Sequence, residues 1–260
     1  MIVHSALAEF ESSTLVVVYF SDQQVVVAAD SLTGFEEPPY SKSQYGCKIV
    51  AMNHDTAFAG TGLLGIPNKW SLKSEAMKVG TDFPSDPLPQ VVATWSKRVA
   101  TKFNDGSPSE MAELKIYAME NNGVVAQGIF VSNHSPTGPQ ITLARLTYQF
   151  DRLMNPVIGA EPLLWPPRSC DSPIGPYCGF GKPNEFLEIT RLTSDRARIN
   201  DRKWRTGKGH SAGLRAISIV ELASTYNGGV DIGGIVDAIE IRKSRSLRWI
   251  KRHRYPKSNQ

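Results

Sequence analysis

Two consecutive apolar segments near the start of the chain give the first expectation for the fold. Residues 14–20 (TLVVVYF) are mainly β-branched and aromatic, and residues 24–30 (QVVVAAD) are similarly apolar after a short polar break. Both segments predict strands, and the short connection predicts an antiparallel hairpin. Because the strands are apolar on both faces, we expect the hairpin to be central in its sheet and covered on each side.

The remaining pattern predicts more strands and three helices. Helical spacing of apolar residues occurs at residues 67–79, 88–104 and 211–226. Strands are predicted at residues 47–60 (a second hairpin), 114–120, 124–132, 141–149 and 233–241. The turn Asn121-Asn122-Gly123 indicates a hairpin between two of these strands, and residues 152–182, rich in Pro and Gly, are expected to be irregular. Adjacent hairpins with apolar faces favour two packed antiparallel sheets with helices outside them.

Composition narrows the class of protein. The chain has 260 residues, of which 41% are hydrophobic and 21% charged, which suits one large domain with a sizeable core. Three cysteines without metal spacing argue against a disulfide framework or a zinc site. No apolar stretch reaches membrane-spanning length and the N-terminal segment is a poor signal peptide, so a cytoplasmic location is the default expectation.

The positive charge is concentrated near the C-terminus. The formal net charge is +4, and residues 242–260 (RKSRSLRWIKRHRYPKSNQ) form a basic tail. We expect this tail to be solvated and disordered. Trp249 and Tyr255 alternate with its basic residues, which leaves nucleic-acid binding by phosphate contact and stacking as an alternative.

The candidate chemistry begins at Asp30, a carboxylate at the end of an apolar strand. Burying such a charge is costly unless another group pairs with it, so Asp30 lies either in water or beside a partner. The segment Gly60-Thr61-Gly62-Leu63-Leu64-Gly65 fits a dinucleotide-binding glycine pattern. It follows an antiparallel hairpin rather than opening a βαβ unit, which argues against a dinucleotide site.

Four motifs together resemble a known family. They are VVVAADS (25–31), CKI (47–49), FAG (58–60) and GGIVDAIEI (233–241). In this combination the chain is similar to the proteasome β-type subunits of the N-terminal-nucleophile (Ntn) hydrolases, and above all to the bacterial proteasome-like group. The resemblance implies an α+β fold, a four-layer αββα sandwich. It also implies a propeptide-like leader at residues 1–13, a domain at residues 14–241 and the tail at residues 242–260.

The resemblance further implies a threonine peptidase site. Thr14 would be the nucleophile and, through its α-amine, the base. Lys48 would tune the pKa values of these groups, Asp30 would orient Lys48, and the Gly60 N–H would bind the oxyanion. The substrate would be a peptide or another amide, no metal or cofactor would take part, and copies of the chain would form a homo-oligomer.

The chain departs from the family pattern at several positions. Ser13 precedes the nucleophile where a glycine is usual, and Ser12 and Ser13 are rival nucleophiles in a shifted register. Phe180 stands where a serine is expected, and Gly229 and Ile232 replace a supporting aspartate and serine. These departures keep a second interpretation open, a non-catalytic proteasome-like subunit with an assembly or binding role.

Overall fold

A computed structural model describes most of the chain. The described residues are 11–13, 15–33, 44–66, 69–133, 138–163, 176–181, 186, 190–191, 212–226, 235–243 and 245–252. The predicted nucleophile Thr14 lies outside them, as do Gly229, Ile232 and most of the charged segment 183–209.

Groups of strands are separated by helices in the described residues, much as the sequence pattern predicts. The strands are β1 (Glu11–Ser13), β2 (Leu15–Ser21), β3 (Gln24–Ala29), β4 (Leu32–Thr33), β5 (Gln44–Tyr45), β6 (Ile49–Ala51), β7 (Thr56–Ile66), β8 (Trp70–Ser71), β9 (Val124–Ser132), β10 (Gln140–Phe150), β11 (Pro156–Leu163), β12 (Tyr177–Gly181), β13 (Asp237–Arg242) and β14 (Arg248–Lys251). The helices are α1 (Leu72–Asp82), α2 (Leu88–Asn104), α3 (Pro108–Glu120) and α4 (Ala212–Tyr226).

These strands form two large antiparallel sheets. The first runs in the order β1-β7-β9-β10-β11, with β6 and β8 also paired to β7. The second runs in the order β12-β2-β3-β13-β14, and β4 with β5 forms a small separate pair. The predicted hairpins β2–β3 and β6–β7 are both present and antiparallel.

The β2–β3 hairpin is central and buried, as its composition predicts. Val16, Val18 and Val27 belong to an apolar cluster shared with strands of the first sheet. Val17 and Val26, which alternate with them, belong to a cluster shared with α4. The period-two alternation of a strand therefore gives each face its own apolar partner.

A third apolar cluster joins the first sheet to the helices α1, α2 and α3. Trp95 of α2 lies at its centre, packed at 5.3 Å and 5.2 Å between ring centroids against Phe58 and Phe130. The Trp95 indole N–H donates to the carbonyl of Leu72 at 3.0 Å, which satisfies its buried polar group. None of the helices in the described residues is long and apolar enough to span a membrane.

The predicted strand at residues 114–120 is wrong, because this segment is the second half of α3. Ser107 caps that helix by accepting from the Glu110 N–H, and the Glu110 carboxylate accepts from the Ser107 N–H. Leu114 and Ala118 then form a buried stripe at i, i+4 spacing. The turn at residues 121–123 joins this helix to β9 instead of closing a hairpin.

Residues 152–182 contain two strands that the sequence analysis expected to be irregular. β11 pairs with β10 and β12 pairs with β2. Within β12, Cys178 is disulfide-bonded, a bridge that the sequence analysis, which argued against a disulfide framework, did not predict. Among the described cysteines, Cys47 is free.

The beginning of the basic tail is structured. Arg242 is the last residue of β13, and β14 pairs with β13 in antiparallel register. The described residues up to 252 therefore differ from the disordered tail expected from residue 242 onward. Residues 253–260 lie outside the described part of the chain.

Candidate active site

The carboxylate at the end of β3 is paired with a buried lysine. The Lys48 ammonium donates to Oδ1 of Asp30 at 2.7 Å, and both residues are buried. Asp30 follows β3 in the second sheet, whereas Lys48 precedes β6 in the first, so the pair bridges the two sheets. The alternative that Asp30 lies in water is thereby excluded.

Electrostatics make the two members of this pair dependent on each other. Burial lowers the pKa of the Lys48 ammonium, and the adjacent Asp30 carboxylate acts in the opposite direction. The carboxylate therefore favours the charged lysine in a place where desolvation disfavours it. The net effect is a lowered pKa for Lys48, and the hydrogen bond to Asp30 holds its Nζ in a defined place at the junction of the two sheets.

The same carboxylate binds the backbone beside residue 14. The Leu15 N–H donates to Oδ1 of Asp30 at 3.2 Å, and the Asp30 N–H donates to the Leu15 carbonyl at 3.4 Å. Leu15 begins β2 in the second sheet, whereas Ser13 ends β1 in the first. Ser13 and Leu15 thus belong to different sheets, and the second of them is the residue that Asp30 binds.

Gly60, the predicted oxyanion donor, lies on β7 beside Lys48. Its N–H donates to the Lys48 carbonyl in a long hydrogen bond of 3.3 Å. A Cβ at this position would lie 3.2 Å from the Phe58 ring and 3.3 Å from Leu72. The glycine therefore fits a tightly packed place, and an oxyanion would have to compete with the Lys48 carbonyl for this donor. The oxyanion role stays a prediction.

Residues 11–13 form a strand on β7 that the sequence analysis did not expect. Glu11 lies opposite Gly65, Ser12 opposite Leu63, and Ser13 opposite Gly62, in antiparallel register. Backbone pairing of this kind needs no particular side chain, so no residue pattern could have signalled it. The pairing holds residues 11–13 in an extended conformation along β7.

Ser31 is a further buried residue that sequence reasoning did not single out. Its hydroxyl accepts from the Ile235 N–H at 2.8 Å, and its carbonyl accepts from the Gly46 N–H at 2.9 Å. It therefore ties the end of β3 both to the residues before β13 and to the segment that leads to Lys48. The sequence feature that could have pointed to Ser31 is its position directly after Asp30 in the AADS motif.

The thiol beside Lys48 is not a candidate nucleophile. Burial, together with the Asp237 carboxylate, raises the pKa of Cys47 to about 12. The thiol donates to the Ile49 carbonyl at 2.8 Å. Because the thiolate is the reactive form, a thiol held protonated in this way is inert at neutral pH.

The other expected positions are only partly described. Phe180 lies in β12, is 5% exposed and packs in the apolar cluster between the two sheets. Its ring supplies no hydroxyl where the family resemblance leads one to expect a serine. Gly229 and Ile232 lie outside the described residues. Within those residues, no group of three or more His, Cys, Asp or Glu side chains could hold a metal ion.

Comparisons with known proteins give matches among solved structures but none by sequence. No family model matches this sequence, and no curated protein matches it. Among solved structures, the chain is similar to eukaryotic HslV from Trypanosoma brucei, with 14% sequence identity and a TM-score of 0.47. The match covers 88% of this chain and 99% of the HslV chain. The functional proposal therefore depends on the residues of the site themselves.

Proposed function

We propose that the protein is a proteasome-like N-terminal-nucleophile amidohydrolase that cleaves peptide or other amide bonds. Thr14 becomes its nucleophile once residues 1–13 are removed. One observation carries this proposal: Asp30 binds both the Lys48 ammonium and the N–H of Leu15, the residue that follows Thr14. A buried cation and its counterion are thus fixed beside the residue that needs activation.

The proposed architecture is a four-layer αββα sandwich. Three apolar clusters support this order of layers: one between α1–α3 and the first sheet, one between the two sheets, and one between the second sheet and α4. In this architecture the Asp30–Lys48 pair lies between the two central layers. Water is limited there, so a fixed charge acts more strongly than it would at the surface.

In the proposed reaction, the Thr14 hydroxyl oxygen attacks the carbonyl carbon of the amide. Its proton passes to the free α-amine of the same residue, whose pKa is near neutral in an unperturbed chain. The resulting tetrahedral intermediate collapses as the C–N bond breaks, and the departing amine takes the proton. Water then hydrolyses the acyl ester on Thr14 and releases the carboxylic acid and the free hydroxyl.

The Lys48 ammonium assists this sequence electrostatically. A positive charge near the α-amine favours its unprotonated form, which is the form that can accept the hydroxyl proton. The Gly60 N–H would donate to the oxyanion in place of its 3.3 Å bond to the Lys48 carbonyl. Removing one such donor typically costs about 3 kcal/mol of transition-state stabilisation.

The β1–β7 pairing suggests how a peptide substrate binds. After removal of the leader, the edge of β7 at residues 62–65 is open to an extended peptide in the place of β1. Strand addition of this kind supplies main-chain hydrogen bonds irrespective of side chains. Pairing with β7 would therefore select substrates with an extended backbone. Any preference for particular substrate side chains would come from other parts of the site.

The test uses the chain beginning at Thr14, prepared by cleaving an N-terminal fusion. We expect it to hydrolyse members of a fluorogenic peptide-amide set, and Thr14→Ala to lose at least about 1,000-fold in rate. Cys47→Ala is the matched control, because it alters a neighbour of Lys48 that takes no part in the reaction. Equal hydrolysis by Thr14→Ala and the parent chain would overturn the proposed nucleophile.

The second candidate is a non-catalytic proteasome-like subunit, favoured by Phe180 in place of a serine. In that case the chain with a free Thr14 folds but neither hydrolyses amides nor becomes acylated at Thr14. The homo-oligomer stays a prediction for either candidate, and light scattering of the processed chain tests it. The cytoplasmic location likewise stays a prediction.

A further inference from the structure

The positive charge of the protein comes from its C-terminal segment. Residues 242–260 contain eight of the 29 Lys and Arg residues and none of the 25 Asp and Glu residues. The rest of the chain holds 21 basic and 25 acidic residues, a balance of −4. The segment is therefore a local basic feature on an otherwise mildly acidic protein.

The first part of this segment is fixed to both sheets. Residues 243–247, which connect β13 to β14, make three hydrogen bonds to other segments: the Lys243 N–H to the Gln23 carbonyl at 2.8 Å, the Leu247 N–H to the His54 carbonyl at 3.0 Å, and the Asn133 side-chain amide to the Arg245 carbonyl at 2.9 Å. Gln23 lies in the β2–β3 turn, His54 in the β6–β7 turn, and Asn133 directly after β9. The connection is thus held at one end of the molecule by turns of both sheets.

Some cations of this region serve the fold. Arg242 and Arg248 both bind the buried Glu240 carboxylate, at 2.8 Å and 2.5 Å. Lys251 binds Glu221 of α4 at 2.7 Å. These pairs anchor β14 and neutralise part of the local charge.

Three other cations of the segment are exposed: Lys243 and Arg245 in the connection, and Arg252 directly after the far end of β14. Within the described part of the chain, none of the three forms an ion pair. The Arg252 guanidinium stacks over the Trp249 ring at 4.7 Å from its centroid, which orients it without neutralising it. We call these three residues the basic ridge.

We propose that the basic ridge binds the phosphate backbone of a nucleic acid without sequence preference. Its cations project from backbone that is held by hydrogen bonds to both sheets, so binding phosphates has to order these side chains but not the chain itself. The nearby apolar side chains Leu247 and Trp249 are partly buried and pack on the core between the sheets. They do not project outward to enter a bilayer, so we favour a nucleic acid over an anionic membrane.

We expect these contacts to position the nucleic acid on the protein without recognising individual bases. Lysine and arginine contacts to phosphate carry no sequence information directly. Since Trp249 is covered by Arg252 on one side and packed against the core, it is not a free platform for base stacking.

The test measures fluorescence anisotropy of a labelled 30-nucleotide mixed-sequence single-stranded RNA with the full chain, between 50 and 200 mM salt. The variant is Lys243→Gln/Arg245→Gln/Arg252→Gln. Each phosphate contact contributes about 0.7 to the slope of log affinity against log salt for single strands. We expect the slope of the triple variant to be smaller by about 2, and its affinity at 50 mM salt to fall at least about 10-fold.

The matched control is Lys97→Gln/Lys102→Gln/Lys115→Gln, which removes the same charge from exposed positions on α2 and α3. We expect this control to keep the slope, and a DNA of the same sequence to bind within a few-fold of the RNA. Equal losses in the two triple variants, or no binding by the parent chain at 50 mM salt, would overturn the proposal. Tighter binding to poly-glutamate or to anionic vesicles than to RNA would also overturn it.

Discussion

The Lys48 ammonium lies 2.7 Å from Oδ1 of Asp30, with both side chains 1% exposed, at the junction of the two sheets. Neither charge reaches water, so each is the main compensation for the other. The same oxygen also accepts from the Leu15 N–H at 3.2 Å. The pair therefore has a structural consequence that can be measured separately from catalysis.

Breaking this pair is expected to destabilise the fold strongly. Asp30→Asn leaves the Lys48 charge buried without a counterion and is expected to cost about 3–5 kcal/mol of unfolding free energy. The double variant Asp30→Asn/Lys48→Met removes both charges and should cost less than Asp30→Asn alone. Urea denaturation of the parent chain, Asp30→Asn, Lys48→Met and the double variant gives the coupling free energy of the pair.

An exposed ion pair provides the control for that experiment. Arg98 lies 2.8 Å from Asp82, with the two side chains 33% and 47% exposed. Asp82→Asn is expected to cost less than about 1 kcal/mol, because water already screens this pair. If Asp30→Asn costs no more than Asp82→Asn, the buried pair does not have the stabilising role assigned to it.

The raised pKa of the Cys47 thiol predicts that the protein becomes less stable at alkaline pH. Its pKa is raised in the folded protein from 9.0 to about 12. Above pH 9 the unfolded thiol ionises while the folded thiol stays protonated, so the unfolded state is favoured as pH rises. The associated stability is fully present below pH 9 and is lost between pH 9 and 12.

Comparison with Cys47→Ala isolates this effect. Between pH 9 and 11 the unfolding free energy of the parent chain should fall, relative to Cys47→Ala, by about 1 kcal/mol per pH unit. Tyr177, whose pKa burial also raises to about 12, is present in both proteins and cancels. The unfolding free energies of both proteins are measured by urea denaturation at pH 8, 9, 10 and 11. If they change with pH in the same way, the pKa of the Cys47 thiol is not raised in the folded protein.

Gly62 is predicted to be irreplaceable on β7. Its φ is +86°, and a Cβ there would lie 2.5 Å from the Val125 carbonyl oxygen. Gly62→Ala should therefore combine backbone strain with a clash against the neighbouring strand. We expect a loss of about 2–4 kcal/mol, measured by urea denaturation.

Gly123 provides a control that separates the cost of backbone strain from the cost of a steric clash. Gly123 has a similar φ of +81°, but a Cβ there would meet nothing within 4 Å. Gly123→Ala should therefore cost only the strain, about 1 kcal/mol. Equal costs at the two positions would mean that β7 shifts to admit the methyl group, and that the close approach to Val125 is not a constraint.

Elements whose apolar residues follow a clear strand or helix pattern were predictable from the sequence. The β2–β3 hairpin lies where two runs of β-branched residues occur, and α2 spans residues 88–104 as its apolar spacing predicts. The helix at residues 108–120 was missed because its second half reads equally well as a short strand. The Ser107–Glu110 capping box was the signal that distinguishes the two.

Edge position explains the missed strands. β11 ends the first sheet and β12 ends the second, and edge strands tolerate the Pro and Gly residues that made this region look irregular. At the site, the strand-end carboxylate left either water or a partner open for Asp30, and the family resemblance implied that the partner is Lys48. The pairing of residues 11–13 with β7 was not predictable, because it uses backbone groups that every sequence has.

The most direct test of the central claim is the intact mass of the purified full-length chain, compared with that of Thr14→Ala. We expect the parent chain to lose residues 1–13 and to begin at Thr14. We expect Thr14→Ala to keep them, because the nucleophile that cuts the Ser13–Thr14 bond is absent. Retention of residues 1–13 by both proteins would leave Thr14 without a free amine and would contradict the proposed N-terminal nucleophile.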